Sequence, residues 1–102
     1  MTKAQLERSI MCELKNATNL YDDFHGYYGL DILENAIFKA MFGHLPYTHR
    51  HHYDRSIRKG WDTFEDNYTA EEKSTYLKIK DRMIKAGVIT ISKSGKMFKL
   101  AE

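Results

Sequence analysis

The apolar positions of this chain follow a helical period at first and a period of two at the end. Leu6, Ile10, Leu14, Ala17 and Tyr21 recur every three or four residues. With Thr2-x-x-Gln5 as a capping box, they predict a first helix over about residues 3–18. Residues 20–29 carry two glycines and no period, which reads as a loop whose aromatic side chains pack onto the body. Asp31-x-x-Glu34 caps a second helix over 32–42, closed by Gly43. Ile32, Leu33, Ala36, Ile37, Phe38, Ala40, Met41 and Phe42 ring that helix on nearly every side. Such a helix lies in the core or against a second copy of the chain, so a homodimer stays open.

Pro46 interrupts the chain before a third expected helix, 48–64. There Tyr53, Ile57, Trp61 and Phe64 fall within about 80° of one another at 100° per residue, leaving His51, His52, Arg55, Arg58 and Lys59 opposite. Thr69-x-x-Glu72 opens a fourth helix over 70–86, which Gly87 stops. Tyr76, Leu77, Ile79, Met83 and Ile84 form its inner face, while Thr75, Lys78, Arg82 and Lys85 point outward. Ile89, Ile91, Phe98 and Leu100 then alternate around Gly95, the pattern of a β-hairpin. The expected fold is a single α+β domain over 1–102, mainly helical: four helices followed by a C-terminal two-stranded β-hairpin.

Composition narrows the possibilities. At 102 residues, 42% apolar and 29% charged, the chain has material for one core, and 7 Tyr, 5 Phe and 1 Trp argue against disorder. The single cysteine, Cys12, excludes an internal disulfide and a Cys-rich zinc module. No apolar run reaches the ~20 residues of a membrane span, and Met1 to Glu7 carry no signal-peptide core, so a cytoplasmic location without a membrane is expected. Neither a glycine-rich phosphate loop nor Gly-x-Ser-x-Gly nor His-Glu-x-x-His is present, so the expectation is a non-enzymatic protein without cofactor. His44, His49, His51 and His52 cluster beside Pro46 but lack the i, i+4 spacing of helical metal ligands, so they read as a solvated basic turn and no metal is expected. Asp22, Asp23 and His25 read as turn and capping groups.

A net charge of +2 hides segregation. Residues 49–61 carry Arg50, Arg55, Arg58 and Lys59 against Asp54. Residues 62–72 carry Asp62, Glu65, Asp66, Glu71 and Glu72 with no cation, and residues 73–102 carry eight cations against two acids. Such blocks select partners.

The run Tyr76-Leu77-Lys78-Ile79-Lys80-Asp81-Arg82-Met83-Ile84-Lys85-Ala86-Gly87-Val88-Ile89-Thr90-Ile91-Ser92, continuing to Leu100, resembles the recognition-helix-to-wing junction of winged helix-turn-helix proteins. In these a helix ends in an Ala-Gly-apolar-Ile step and two strands flank a basic tip. The resemblance covers about 30 residues and is one of superfamily, not of a specific family. It implies a winged-helix-like fold and duplex DNA binding, with Thr75, Lys78, Arg82 and Lys85 on the recognition helix and Lys93 and Lys96 on the wing. Arg55, Arg58 and Lys59 add phosphate contacts in that reading. Four carboxylates, Glu65, Asp66, Glu71 and Glu72, stand at the end of the helix that would approach the bases and oppose it. The competing reading is an adaptor or inhibitor of phage or mobile-element type that binds a host protein through His51, His52, Arg55, Arg58, Lys59, Glu65 and Asp66. Tyr21, Phe24, Tyr27 and Tyr28 are either core-packing aromatics or an exposed stacking platform.

Overall fold

The computed structural model describes residues 2–20 and 24–101. In chain order it holds α1 (Lys3–Leu20), β1 (Tyr28–Gly29), α2 (Leu30–Phe42), β2 (Tyr47–Asp54), β3 (Lys59–Asp66), α3 (Ala70–Lys85), β4 (Ile89–Ile91) and β5 (Met97–Leu100). The class is α+β, but the described residues form three helices and five strands rather than four helices and one hairpin. One antiparallel sheet has the order β1-β5-β4, and β2 and β3 form a second, separate one.

Local signals place α1 and α3. Thr2 and Gln5 exchange hydrogen bonds across the start of α1, Thr2 N–H donating to Gln5 Oε1 at 2.8 Å and Gln5 N–H to Thr2 Oγ1 at 3.2 Å. The reciprocal box recurs on α3 between Thr69 and Glu72. At α2 the expectation fails: the cap is Gly29, with no side-chain cap bond, and Asp31 sits in the first turn, where it complements the helix dipole.

The core joins Ile10 and Leu14 of α1, Leu33, Ala36, Ile37 and Phe38 of α2, Tyr76, Ile79 and Met83 of α3, and Ile89 and Phe98 of the sheet. The apolar ring around α2 is therefore used inside the molecule, which removes the reason to assign it to a second copy. Leu77, expected inward on α3, is 45% exposed. The expected loop 20–29 contributes a strand: Tyr28 pairs with Phe98 and Gly29 with Met97, the two rings lying 5.9 Å apart. Of its other aromatics, Phe24 is exposed and Tyr27 half-buried under the Lys99 ammonium, while Tyr21, Asp22 and Asp23 lie outside the described residues.

The expected helix 48–64 is instead the β2–β3 hairpin, paired from Tyr47↔Asp66 to Asp54↔Lys59. Its side chains explain the difference: Tyr, Thr, His, Trp and Phe fit a pleated strand and lose rotamer freedom in a helix. The apparent helical stripe is split by the strand period, with Tyr53 and Phe64 on one face, Trp61 on the other and Ile57 in the turn. None is buried; the four are 60%, 65%, 46% and 62% exposed. Arg58 enters the left-handed region, φ 49, to close the turn. The hairpin strands pair with each other and touch little else, so the molecule extends 54 Å by 32 Å by 23 Å.

Candidate nucleic-acid interface

α3 and the hairpin after it are built by local rules. The Thr69 hydroxyl accepts from Glu72 N–H at 3.1 Å, and Thr69 N–H donates to Glu72 Oε1 at 2.9 Å. At the other end Gly87 turns the chain at φ 75, and Val88 N–H reaches back to Met83 C=O at 3.0 Å. β4 and β5 follow at once. Their turn is closed by Gly95, φ 76, whose N–H donates to Ser92 C=O at 2.9 Å. A side chain at either glycine would be strained. Thr69→Ala removes the cap and is expected to cost about 1 kcal/mol, a fall of roughly 4–8 °C in melting temperature.

The six residues expected to meet nucleic acid fall into two groups. Lys78 and Arg82 are exposed on α3, Lys93 and Lys96 are exposed at the β4–β5 turn, and none of the four takes part in an ion pair among the described residues. Lys85 is also exposed but pairs with Asp81 at 3.0 Å, one helical turn away. The Thr75 hydroxyl donates to Glu71 C=O at 3.0 Å, so it is spent on its own helix. Lys73 and Lys80 are occupied by the body. Lys73 reaches Glu34 at 3.2 Å and lies over the Tyr68 and Tyr76 rings, and Lys80 lies over Tyr76.

The acidic end of α3 differs from the reading of its sequence. Besides its role in the capping box, Glu72 is held by His44, with Nε2 2.9 Å from Oε2. His44 Nδ1 lies 2.7 Å from the Leu45 carbonyl. Both ring nitrogens face acceptors, so the imidazolium form satisfies both. The Leu45 carbonyl first and Glu72 second push the His44 pKa up; the Thr69 N–H first and His44 second pull Glu72 down. Asp66 accepts from the Tyr68 hydroxyl at 3.4 Å. Of the four carboxylates that oppose an approaching phosphate, Glu65 and Glu71 have no such partners among the described residues.

The latch carries a pH signature. The His44 contribution is complete below its ordinary value of 6.5 and fades as pH rises through the raised one. The Glu72 contribution is complete above 4.5 and fades as acid titrates it. The difference in melting temperature between the wild type and His44→Ala is therefore expected to peak between these limits and to shrink as pH rises above them. A difference that grows from pH 6 to pH 8 contradicts this.

The competing set is gathered on the hairpin. His52 stacks on Trp61 at 5.3 Å and 14°, with Nε2 2.9 Å from Thr63 Oγ1. On the opposite face His49 and His51 share Asp62 Oδ1, each at 2.9 Å, and Phe64 stacks on His49. These two imidazoles hold the Asp62 carboxyl below its usual range, His51 contributing more. His44 and His52 thus lie apart from the His49–His51 pair, and among the described residues no three His, Cys, Asp or Glu gather as a metal-binding group. Arg55 and Arg58 flank the turn, Lys59 begins β3, and Glu65 and Asp66 lie at its far end. A helical reading could not find this division. The alternation Tyr47, His49, His51, Tyr53 was the signal for it.

An apolar groove of about 710 Å³ runs between α1 and α3, lined by Leu6, Ile10, Met11, Ile79, Met83 and Val88, with Cys12 and Arg82 also at its wall. Among the described residues no helix is long and apolar enough to cross a membrane. Comparison with protein-family models, curated proteins and solved structures found no match.

Proposed function

We propose that the protein is a small non-enzymatic regulator of winged-helix type that binds duplex DNA through α3 and the β4–β5 wing. One observation carries this reading: Lys78, Arg82, Lys93 and Lys96 all face solvent, and none is neutralised by a carboxylate of the described chain. Cations left free at a helix and at the turn that follows it are the electrostatic footprint of a phosphate backbone. The contact of Glu72 with His44 supports the reading, because a protonated imidazole there offsets one of the carboxylates at the start of α3. Electrophoretic shift on random duplex is the test. Binding at low salt that collapses as salt is raised is the expected result, and no shift at micromolar protein and low salt refutes the proposal.

A second reading is favoured by the aromatic face of the β2–β3 hairpin. Tyr53 and Phe64 are exposed there beside Tyr47 and the His49–Asp62–His51 group. Tyrosine and other aromatics anchor protein interfaces. An inhibitor or adaptor of phage or mobile-element type would use that face against a host protein. Capture of one defined partner, lost on Phe64→Ala, would support it.

A further inference from the structure

The β2–β3 hairpin carries a second set of free cations. Over eight paired positions per strand and about 3.4 Å per residue, it reaches roughly 27 Å from the body. An isolated two-stranded ribbon is marginal in water, and this one buries none of its large apolar side chains: Tyr53, Ile57, Trp61 and Phe64 are all exposed. Its charges are sorted. Asp54 accepts from the Ser56 N–H and hydroxyl, Asp62 is taken by His49 and His51, and Asp66 by Tyr68. Arg55, Arg58 and Lys59 at the tip and Arg50 at mid-strand, opposite Thr63, have no ion pair among the described residues. Residues 50–61 carry these four cations against Asp54 alone, which fits a polyanion, while Glu65 near the root has no such partner among the described residues.

Arg50, His52, Lys59, Trp61 and Thr63 share one side by register with Asp54 at the tip and Glu65 near the root, so two cations flank a stacked aromatic pair and a hydroxyl between two acids. The root of the ribbon is fixed beside the start of α3. Asn67 N–H donates to Pro46 C=O at 2.9 Å, and His44 is held by Glu72. The ribbon and α3 therefore start from one place in the fold. The major groove, about 12 Å wide, admits a two-stranded ribbon.

We propose that this hairpin is an arm that enters a groove of the same duplex. Arg50, Arg55, Arg58 and Lys59 bind phosphates there, and the Trp61–His52 face turns toward the groove. This rests on the duplex-binding reading above and extends it.

Trp61 is the one tryptophan of the chain, so its emission reports on the arm alone. The experiment compares the full chain with two fourfold alanine variants, Arg50/Arg55/Arg58/Lys59 and Lys78/Arg82/Lys93/Lys96. Binding of a random 30-base-pair duplex is followed by anisotropy from 50 to 200 mM salt, with melting curves as a check on folding. With about eight phosphates engaged, the log–log salt slope of the wild type is expected near −7, a loss of about 10⁴-fold across that range. Either variant should fall to a slope of roughly −3.6, a loss of about 150-fold. Saturating duplex should also quench or shift Trp61 emission in the wild type. An arm variant with wild-type slope and affinity, or bound duplex that leaves Trp61 emission unchanged, overturns the arm proposal and leaves the α3 and wing reading standing. Absence of duplex binding by the wild type overturns both. If the arm variant keeps the slope but loses capture of a defined protein, the arm belongs to a protein interface and the proposal is refuted.

Discussion

Phe38→Ala is expected to lower the unfolding free energy by about 3–5 kcal/mol, the usual cost of emptying a buried aromatic site. Phe38 is fully buried on α2, with Phe42 at 5.1 Å, Tyr76 of α3 at 5.7 Å, Tyr68 at 6.0 Å and His44 at 6.1 Å between ring centroids. It therefore joins α2 to α3 and to the latch at the root of the arm. Its neighbours belong to three segments of chain and cannot all move inward, so the cavity would persist. A domain of this size has about 5–15 kcal/mol in total, so the variant would be marginal at 25 °C. Urea denaturation monitored by circular dichroism measures the change. A loss below about 1 kcal/mol would mean that the site collapses, contrary to this packing.

Arg82→Ala and Lys78→Ala are each expected to weaken duplex binding by about 1–3 kcal/mol if the side chains meet base edges, that is roughly 5-fold to 150-fold. Their position on α3, one turn apart and free of ion pairs, puts them on one outward face. Lys93→Ala and Lys96→Ala should behave differently. At a turn that touches phosphate they weaken binding uniformly across sequences and flatten the salt slope by about one each. Competition between random and selected duplexes distinguishes the two kinds of contact. Because Arg82 also borders the apolar groove beside α1, its variant needs a melting curve alongside the binding curve. Unchanged affinity in the Lys78 and Arg82 variants together would remove α3 from the interface.

The elements that could be read from the chain are those fixed by neighbours in sequence. The capping boxes at Thr2 and Thr69, the stop at Gly87 and the alternation from Ile89 to Leu100 all act within a few residues, and each is present. The β1 strand could not be read this way. Two residues have no period, and they become a strand only because β5, about seventy positions away, supplies the hydrogen bonds. The β2–β3 segment mimics a helix because four of its apolar residues satisfy a helical period. A period is evidence of a buried face only when a body exists to bury it, and this segment has none.

By itself, then, the chain determined one apolar core, the outward cations of α3 and the basic turn of the C-terminal hairpin, because helix and strand periods sort side chains before any packing occurs. Tertiary structure decided which charges stay free. The pairing of Glu72 with His44, twenty-eight positions away, turns a carboxylate from an obstacle into part of the frame. The antiparallel register likewise places Asp62 under two histidines and leaves four hairpin cations without an ion pair among the described residues. Ionic interactions depend on distances between atoms far apart in sequence, and those distances exist only once the backbone has closed.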